Sequence, residues 1–188
     1  MKAIPEGAVS ALDVGTGDGL LAAELRTVLA DVTAVDLDLG VLTRAAAEHR
    51  DITWVHGDVM SLEFGRTFDV VASVATVHHL SSLADALRRL ADLTSPGGVL
   101  VIVGLARAAS LRDHLKGVLG ILQHQWYSRT RNVWAHSAPT AWPPPHTYRE
   151  VRDCAVEVLP GVAWQQFGMW RYALIWQKPV LKTVAPAR

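Results

Sequence analysis

Three short clusters in this chain carry side chains of the kinds that bind and react. The first is Asp13-Val14-Gly15-Thr16-Gly17-Asp18-Gly19. Glycines let a chain turn tightly off a strand and let a ligand approach the backbone, and the next helix offers it free N–H groups. A purely structural turn is the alternative reading. The second cluster centres on Asp36, which closes an apolar segment 19 residues after Gly17. A carboxylate there can accept hydrogen bonds from both hydroxyls of a ribose, or can simply be solvated. The third is His78-His79. An imidazole with an ordinary pKa near ~6.5 suits a general base, although either ring can instead pack into a loop.

The elements that must hold these clusters alternate between strand and helix. Residues 10–14 read as a strand, followed by the glycine loop and a helix over 20–29. Residues 32–36 are a second strand, and Asp38 is placed to cap a helix running to 49. Residues 52–56 are a third strand. Residues 68–74 are a fourth, whose continuous Val and Ala content suits burial on both faces. Ser82 with Asp85 resembles a capping box opening a helix to 94. Pro96-Gly97-Gly98 reads as a turn into a fifth strand over 99–103. This βαβα repetition predicts a parallel sheet with helices on both faces. Further on, Thr147 and Glu150 form a T-x-x-E capping box for a helix to 159, which Pro160-Gly161 ends. Residues 162–167 and 170–177 then read as an antiparallel hairpin.

A chain of 188 residues suits one domain, and half the residues are apolar against 19% charged, as in a globular protein. The net charge of zero gives no general pull toward DNA or anionic membrane. The charge is uneven, with −7 over residues 1–104, +4 over 105–147 and +3 over 148–188. The single cysteine, Cys154, excludes a disulfide framework, and the histidines lack a tight metal-binding spacing. The longest apolar run, 99–106, is far short of the ~20 residues that span a bilayer. With no signal-peptide stretch at the start, a cytoplasmic protein is expected.

The pattern G-x-G-x-G with an acid two residues upstream resembles the first motif of class I S-adenosylmethionine-dependent methyltransferases. Leu20 stands where the G-x-G-x-x-G of nicotinamide and flavin sites has its third glycine. Asp36, Gly57-Asp58-Val59, Phe68-Asp69-Val70-Val71 leading to Ser73, and the stretch from Leu93 to Leu100 follow in family order, so the resemblance covers about residues 10–104. It implies a Rossmann-like α/β fold: a seven-stranded, mostly parallel sheet with a terminal antiparallel strand from 170–177 and helices on both faces. It implies S-adenosylmethionine as cofactor, with Gly15, Gly17 and Gly19 in the loop that meets its methionine part. Asp36 then holds the ribose, Asp58 meets the adenine amine, and Leu37 and Val59 sandwich the purine. Asp13 orders the loop or binds the amino group through water, and Ser73 stands among the cofactor residues. His78 and His79 are the candidate bases. The acidic first half suits a cationic sulfonium.

Within the family the chain is similar to small-molecule methyltransferases of the quinone-biosynthesis group. It lacks the Asn/Asp-Pro-Pro-Tyr/Phe pattern of certain nitrogen methyltransferases, and Ser73 is not the acid that would ligate magnesium. Only about nine residues precede the first strand, where relatives carry a lid. The insert at about 105–147, another subunit or an upstream segment is expected to replace it. The insert, read as a helix over 111–124 and a proline-rich loop over 137–146, carries Trp126, Tyr127, Trp134 and Trp142. It also carries Arg107, Arg112, Lys116, Arg129, Arg131 and four histidines. It reads as a substrate cap or as a homodimer surface, the C-terminal hairpin being the other dimer candidate. The leading function is methyl transfer to an O, N or C atom of a small molecule. An RNA-modifying enzyme and a catalytically idle methyltransferase-like subunit are the alternatives.

Overall fold

Period-two alternation along the strands divides the apolar residues between two cores, one on each side of a single sheet. In a computed structural model, residues 3–109, 143–168 and 170–180 are described. The strands are β1 (Ser10–Val14), β2 (Asp31–Asp36), β3 (Thr53–His56), β4 (Phe68–Val74), β5 (Thr94–Leu105), β6 (Ala163–Gln166) and β7 (Arg171–Gln177). The helices are α1 (Leu20–Arg26), α2 (Leu39–Glu48), α3 (Leu83–Leu93) and α4 (Tyr148–Val158), with a 3-10 turn at Val77–His79. Leu12, Val14, Val35, Val71, Leu100 and Ile102 point into one core, with α3 and α4. Their neighbours Ala11, Val32, Ala34, Val70, Ala72 and Val99 point into the other, with Ala22 and Leu25 of α1. Strands buried on both faces in this way are what parallel sheets require.

The sheet order is β3-β2-β1-β4-β5-β7-β6. β1 to β5 are mutually parallel, so Val14, Asp36, His56, Val74 and Leu105 all end at one edge. β7 is antiparallel to both of its neighbours, β5 and β6. The antiparallel strand expected from residues 170–177 is therefore the last of the described strands in sequence but next to last in the sheet.

Local signals set the helix starts. Asp38 caps α2 by accepting from the N–H groups of Gly40 (2.8 Å) and Val41 (3.1 Å). Ser82 caps α3 by accepting from Asp85 N–H at 3.3 Å. Thr147 and Glu150 form the reciprocal capping box of α4. Two readings need correction. Helix α1 stops at Arg26, three residues early, where the Thr27 hydroxyl donates to the Glu24 carbonyl at 2.7 Å. Pro96-Gly97-Gly98 is not a turn between elements but part of β5. There the register against β4 shifts between Phe68 and Val70, and Gly97 sits at φ +80. Gly97 N–H donates to Lys178 O and Lys178 N–H to Gly98 O, both at 2.9 Å, so this irregular stretch stays bonded to the sheet.

The insert leaves from the carboxyl edge of β5 and returns there. Ala106 N–H donates to Trp170 O at 2.8 Å, Arg107 N–H to His146 O at 2.9 Å, and residue 107 bridges residue 147. Its predicted helix over 111–124 and its Arg112, Lys116, Trp126, Tyr127, Arg129, Arg131, Trp134 and Trp142 lie outside the described residues. Among the described residues no helix is long and apolar enough to cross a membrane, and no group of three or more His, Cys, Asp or Glu is placed to hold a metal ion.

Candidate cofactor and active site

In an open α/β sheet the crevice for a ligand lies where the strand order reverses, at the carboxyl ends of the strands. Here that point falls between β1 and β4. The glycine loop follows β1 and the His78-His79 turn follows β4, so the topology brings both clusters to the same crevice.

The three loop glycines serve different ends. Gly15, at φ +69, has Thr76 Oγ1 only 2.1 Å from where a Cβ would stand. Gly19, at φ +78, has the Trp54 ring 2.5 Å from the same point. Gly17, at φ +53, has nothing within 4 Å. Packing forbids a side chain at the first two, while Gly17 faces open space. The loop is anchored by Gly15 and Thr16 N–H groups donating to Val35 O at 2.9 and 3.2 Å.

Asp36 is already built into that loop. Its Oδ2 accepts Gly17 N–H at 2.9 Å and its Oδ1 accepts Asp38 N–H at 3.0 Å. Leu37 beside it is 64% exposed, an apolar side chain held out at the carboxyl edge. His56 Nε2 lies 3.0 Å from the Leu37 carbonyl and fixes this segment from β3. Asp58 accepts Met60 N–H through Oδ1 at 2.9 Å, which shapes the turn after β3.

Two expected cofactor residues also make structural contacts. Val59, expected against the purine, is 5% exposed and belongs to the core shared with α3. Ser73 is fully buried and its hydroxyl donates to Val14 O at 3.1 Å, tying the ends of β1 and β4 together.

Asp13 is buried beneath the loop and accepts the Thr16 hydroxyl at 2.7 Å. Burial raises its pKa from 3.8 to about 6, against the Thr16 and Ala22 hydrogen bonds, and the nearby Asp36 charge adds to the rise. Between those two values the unfolded chain releases a proton that the folded chain keeps. Stability therefore falls as pH rises through this window, and the penalty is complete above about 6. It amounts to about 2–3 kcal/mol at neutral pH. Asp13→Asn, which keeps an acceptor for Thr16, is expected to raise Tm at pH 7 by roughly 4–12 °C, the gap closing toward pH 4. Thermal unfolding across that range measures it, and a gap independent of pH would show that Asp13 carries no such penalty.

His78 and His79 occupy the 3-10 turn with ring centroids 4.1 Å apart. His79 is exposed, whereas His78 is 8% exposed and its Nδ1 is buried without a hydrogen-bond partner. Burial, then the neighbouring His79, lowers the His78 pKa from 6.5 to about 4. Just before the turn, Ala75 holds φ 56, a left-handed conformation uncommon outside glycine, and its N–H donates to Val103 O at 2.8 Å. Thr76 Oγ1 donates to Gly15 O at 3.3 Å and to Val74 O at 3.1 Å, linking the histidine turn to the glycine loop. Sequence reasoning passed over Thr76, Thr16 and His56. Only Thr16, three residues after Asp13 within the loop motif, carried a local signal.

Glycine at the open loop position, a strand-end carboxylate, an exposed apolar residue beside it and a second carboxylate beyond β3 fit the amine, ribose and purine of an adenosyl cofactor. The fold and this donor set are of the Rossmann-like class that binds a nucleoside at the carboxyl edge of its sheet. Residues 12–102 match the family described as the methyltransferase domain. An uncharacterized methyltransferase of Mycobacterium bovis is 39% identical over 180 residues, covering 94% of this chain and 91% of that protein. A ubiquinone biosynthesis O-methyltransferase of Azorhizobium caulinodans is 30% identical over 130 residues, 65% of this chain and 50% of that protein. Among solved structures, the S-adenosylmethionine-bound amino pentose methyltransferase of Micromonospora echinaspora is similar at TM-score 0.51 and 28% identity, over 54% of this chain and 44% of that one. The chain belongs to the class I methyltransferases that use S-adenosylmethionine.

Proposed function

We propose that the chain methylates a small molecule at a hydroxyl, amine or activated carbon, with the acceptor seated against the His78-His79 turn. The observation that carries this reading is the buried, unpartnered Nδ1 of His78 in the turn beside the crevice. A buried polar atom left without a partner costs about 1–3 kcal/mol, a cost of the kind that folds retain at catalytic positions. The amino pentose and ubiquinone-biosynthesis enzymes similar to this chain support a small acceptor.

In this reading Gly17, Asp36, Leu37 and Asp58 hold the cofactor, and Thr76 keeps its loop in register with the histidine turn. When bound, the cofactor supplies an electrophilic methyl group on a sulfonium. The lowered pKa keeps the His78 imidazole neutral at physiological pH. With the proton on the buried Nδ1, Nε2 offers its lone pair to the O–H, N–H or acidic C–H of the acceptor. Exposed His79, one ring away, can pass the released proton to water.

The test is a turnover screen with methyl-labelled cofactor against quinols, aromatic acids and amino sugars, with bulk RNA run at low and high salt. Label is expected in a small acceptor, with none in RNA. Label in RNA alone, falling steeply as salt rises, would overturn the proposal in favour of a nucleic-acid substrate.

A further inference from the structure

We infer that Arg89 is a positioning residue for the purine end of the cofactor, acting through the turn that carries Asp58. This rests on the reading of Asp58 as the acceptor for the adenine amine. Arg89 lies on α3, whose buried face is Leu83, Ala86, Leu87, Leu90 and Leu93. Its neighbour Arg88 is exposed and pairs with Asp85 at 2.9 Å, an ordinary surface contact. Arg89 does something else. Its Nε–H donates to Val59 O at 2.9 Å and its Nη2 to Leu62 O, contacts made 30 and 27 residues away in sequence. Among the described residues it has no carboxylate partner, so its charge is spent on two backbone carbonyls.

Those carbonyls belong to one short helical turn. Ser61 and Leu62 N–H groups donate to Asp58 O at 3.0 and 2.9 Å, and Met60 N–H to Asp58 Oδ1. Gly57 precedes it at φ +150, with the Leu62 side chain 3.0 Å from where a Cβ would be. A single turn of this kind has little stability of its own, because its closing bonds are few for the dihedrals it fixes. A planar guanidinium spans two carbonyls at once, which a lysine ammonium cannot do with the same geometry. The clamp thus holds Asp58 in place from a helix that is packed into the core. Met60 occupies only Oδ1 of that carboxylate, and Oδ2 is the atom the inference assigns to the purine amine.

Calorimetric titration of two ligands tests the assignment: S-adenosylhomocysteine and its deaminated 6-oxo analogue, which has no amine to donate to Asp58. The wild type is expected to prefer the adenine form. Arg89→Leu is expected to lose about tenfold in affinity for that form. Its affinity for the 6-oxo analogue should shift less than about threefold, so the preference collapses. Arg89→Lys, which keeps the charge, gives the same comparison with an intermediate loss should the leucine variant fail to fold. Equal losses for both ligands would make Arg89 merely structural and overturn the inference. A wild type that binds both ligands alike, with Asp58→Asn changing neither, would instead remove the reading of Asp58 beneath it.

Discussion

Alanine at Asp36 is expected to weaken S-adenosylhomocysteine binding by about a hundredfold or more. Two charge-assisted hydrogen bonds to the ribose hydroxyls, at ~1.5–3 kcal/mol each, would be lost, and each ~1.4 kcal/mol is a factor of ten. The structure adds a second route to the same loss. Gly17 and Asp38 both donate to this carboxylate, so its removal also loosens one of the ties between the glycine loop and β2. Asp36→Asn separates the two routes, because an amide oxygen can still accept one of these N–H groups but carries no charge. Titration calorimetry on variants whose circular dichroism matches the wild type makes the measurement. Unchanged affinity in a folded Asp36→Ala protein would show that the ribose sits elsewhere.

The second large effect is expected at the histidine turn. With an acceptor from the screen in hand, His78→Ala should lower kcat by about 10²–10⁴, the usual contribution of a positioned base, and leave cofactor affinity within a few-fold. The pH profile adds a signature that a packing role would not produce. As His78 must be neutral to accept a proton, kcat/KM should rise with pH to a plateau already reached above about 4. His79→Ala removes one of the two causes of that low value, so the rise should move to higher pH. Burial, the larger cause, persists and limits the movement. A kcat unaffected by either substitution would leave the pair as loop packing.

What could be read from the chain without its structure divides by range. Asp38, Ser82 and the Thr147-Glu150 box act within one helical turn, and each caps the helix it announces. The strands that end at Val14, Asp36 and Val74 were equally legible, since a period-two or wholly apolar segment is a local pattern. Pro96-Gly97-Gly98 was misread because a glycine pair looks the same in a turn and in an irregular strand. Bonds to Gln177 and Lys178, some 80 residues on, keep it in the sheet. The packing of Val59 and the bond from Ser73 to β1 were not legible for a related reason. The identity of a residue does not say which neighbour will cover it, and α3 and β1 cover these two. Arg89 was invisible for the opposite reason, because a charge on an amphipathic helix is usually solvated. The burial of His78 belongs here too, since two adjacent histidines look alike until one faces inward.

The place of β7 bears on how the chain assembles. A ribosome delivers β5 first, then α4 and β6, and only afterwards Arg171–Gln177. Until that last segment arrives, β5 has one unpaired flank and β6 has no neighbour, because β7 bonds to both of them. Half-finished molecules thus display bare hydrogen-bonding edges of Val- and Ile-rich backbone, the surfaces on which nascent chains stick to one another. The closing strand also joins residues as distant as Val99 and Gln177. Pairings across such separations are slow to form. The sheet is thus closed between β5 and β6, by the last of the described strands to be made.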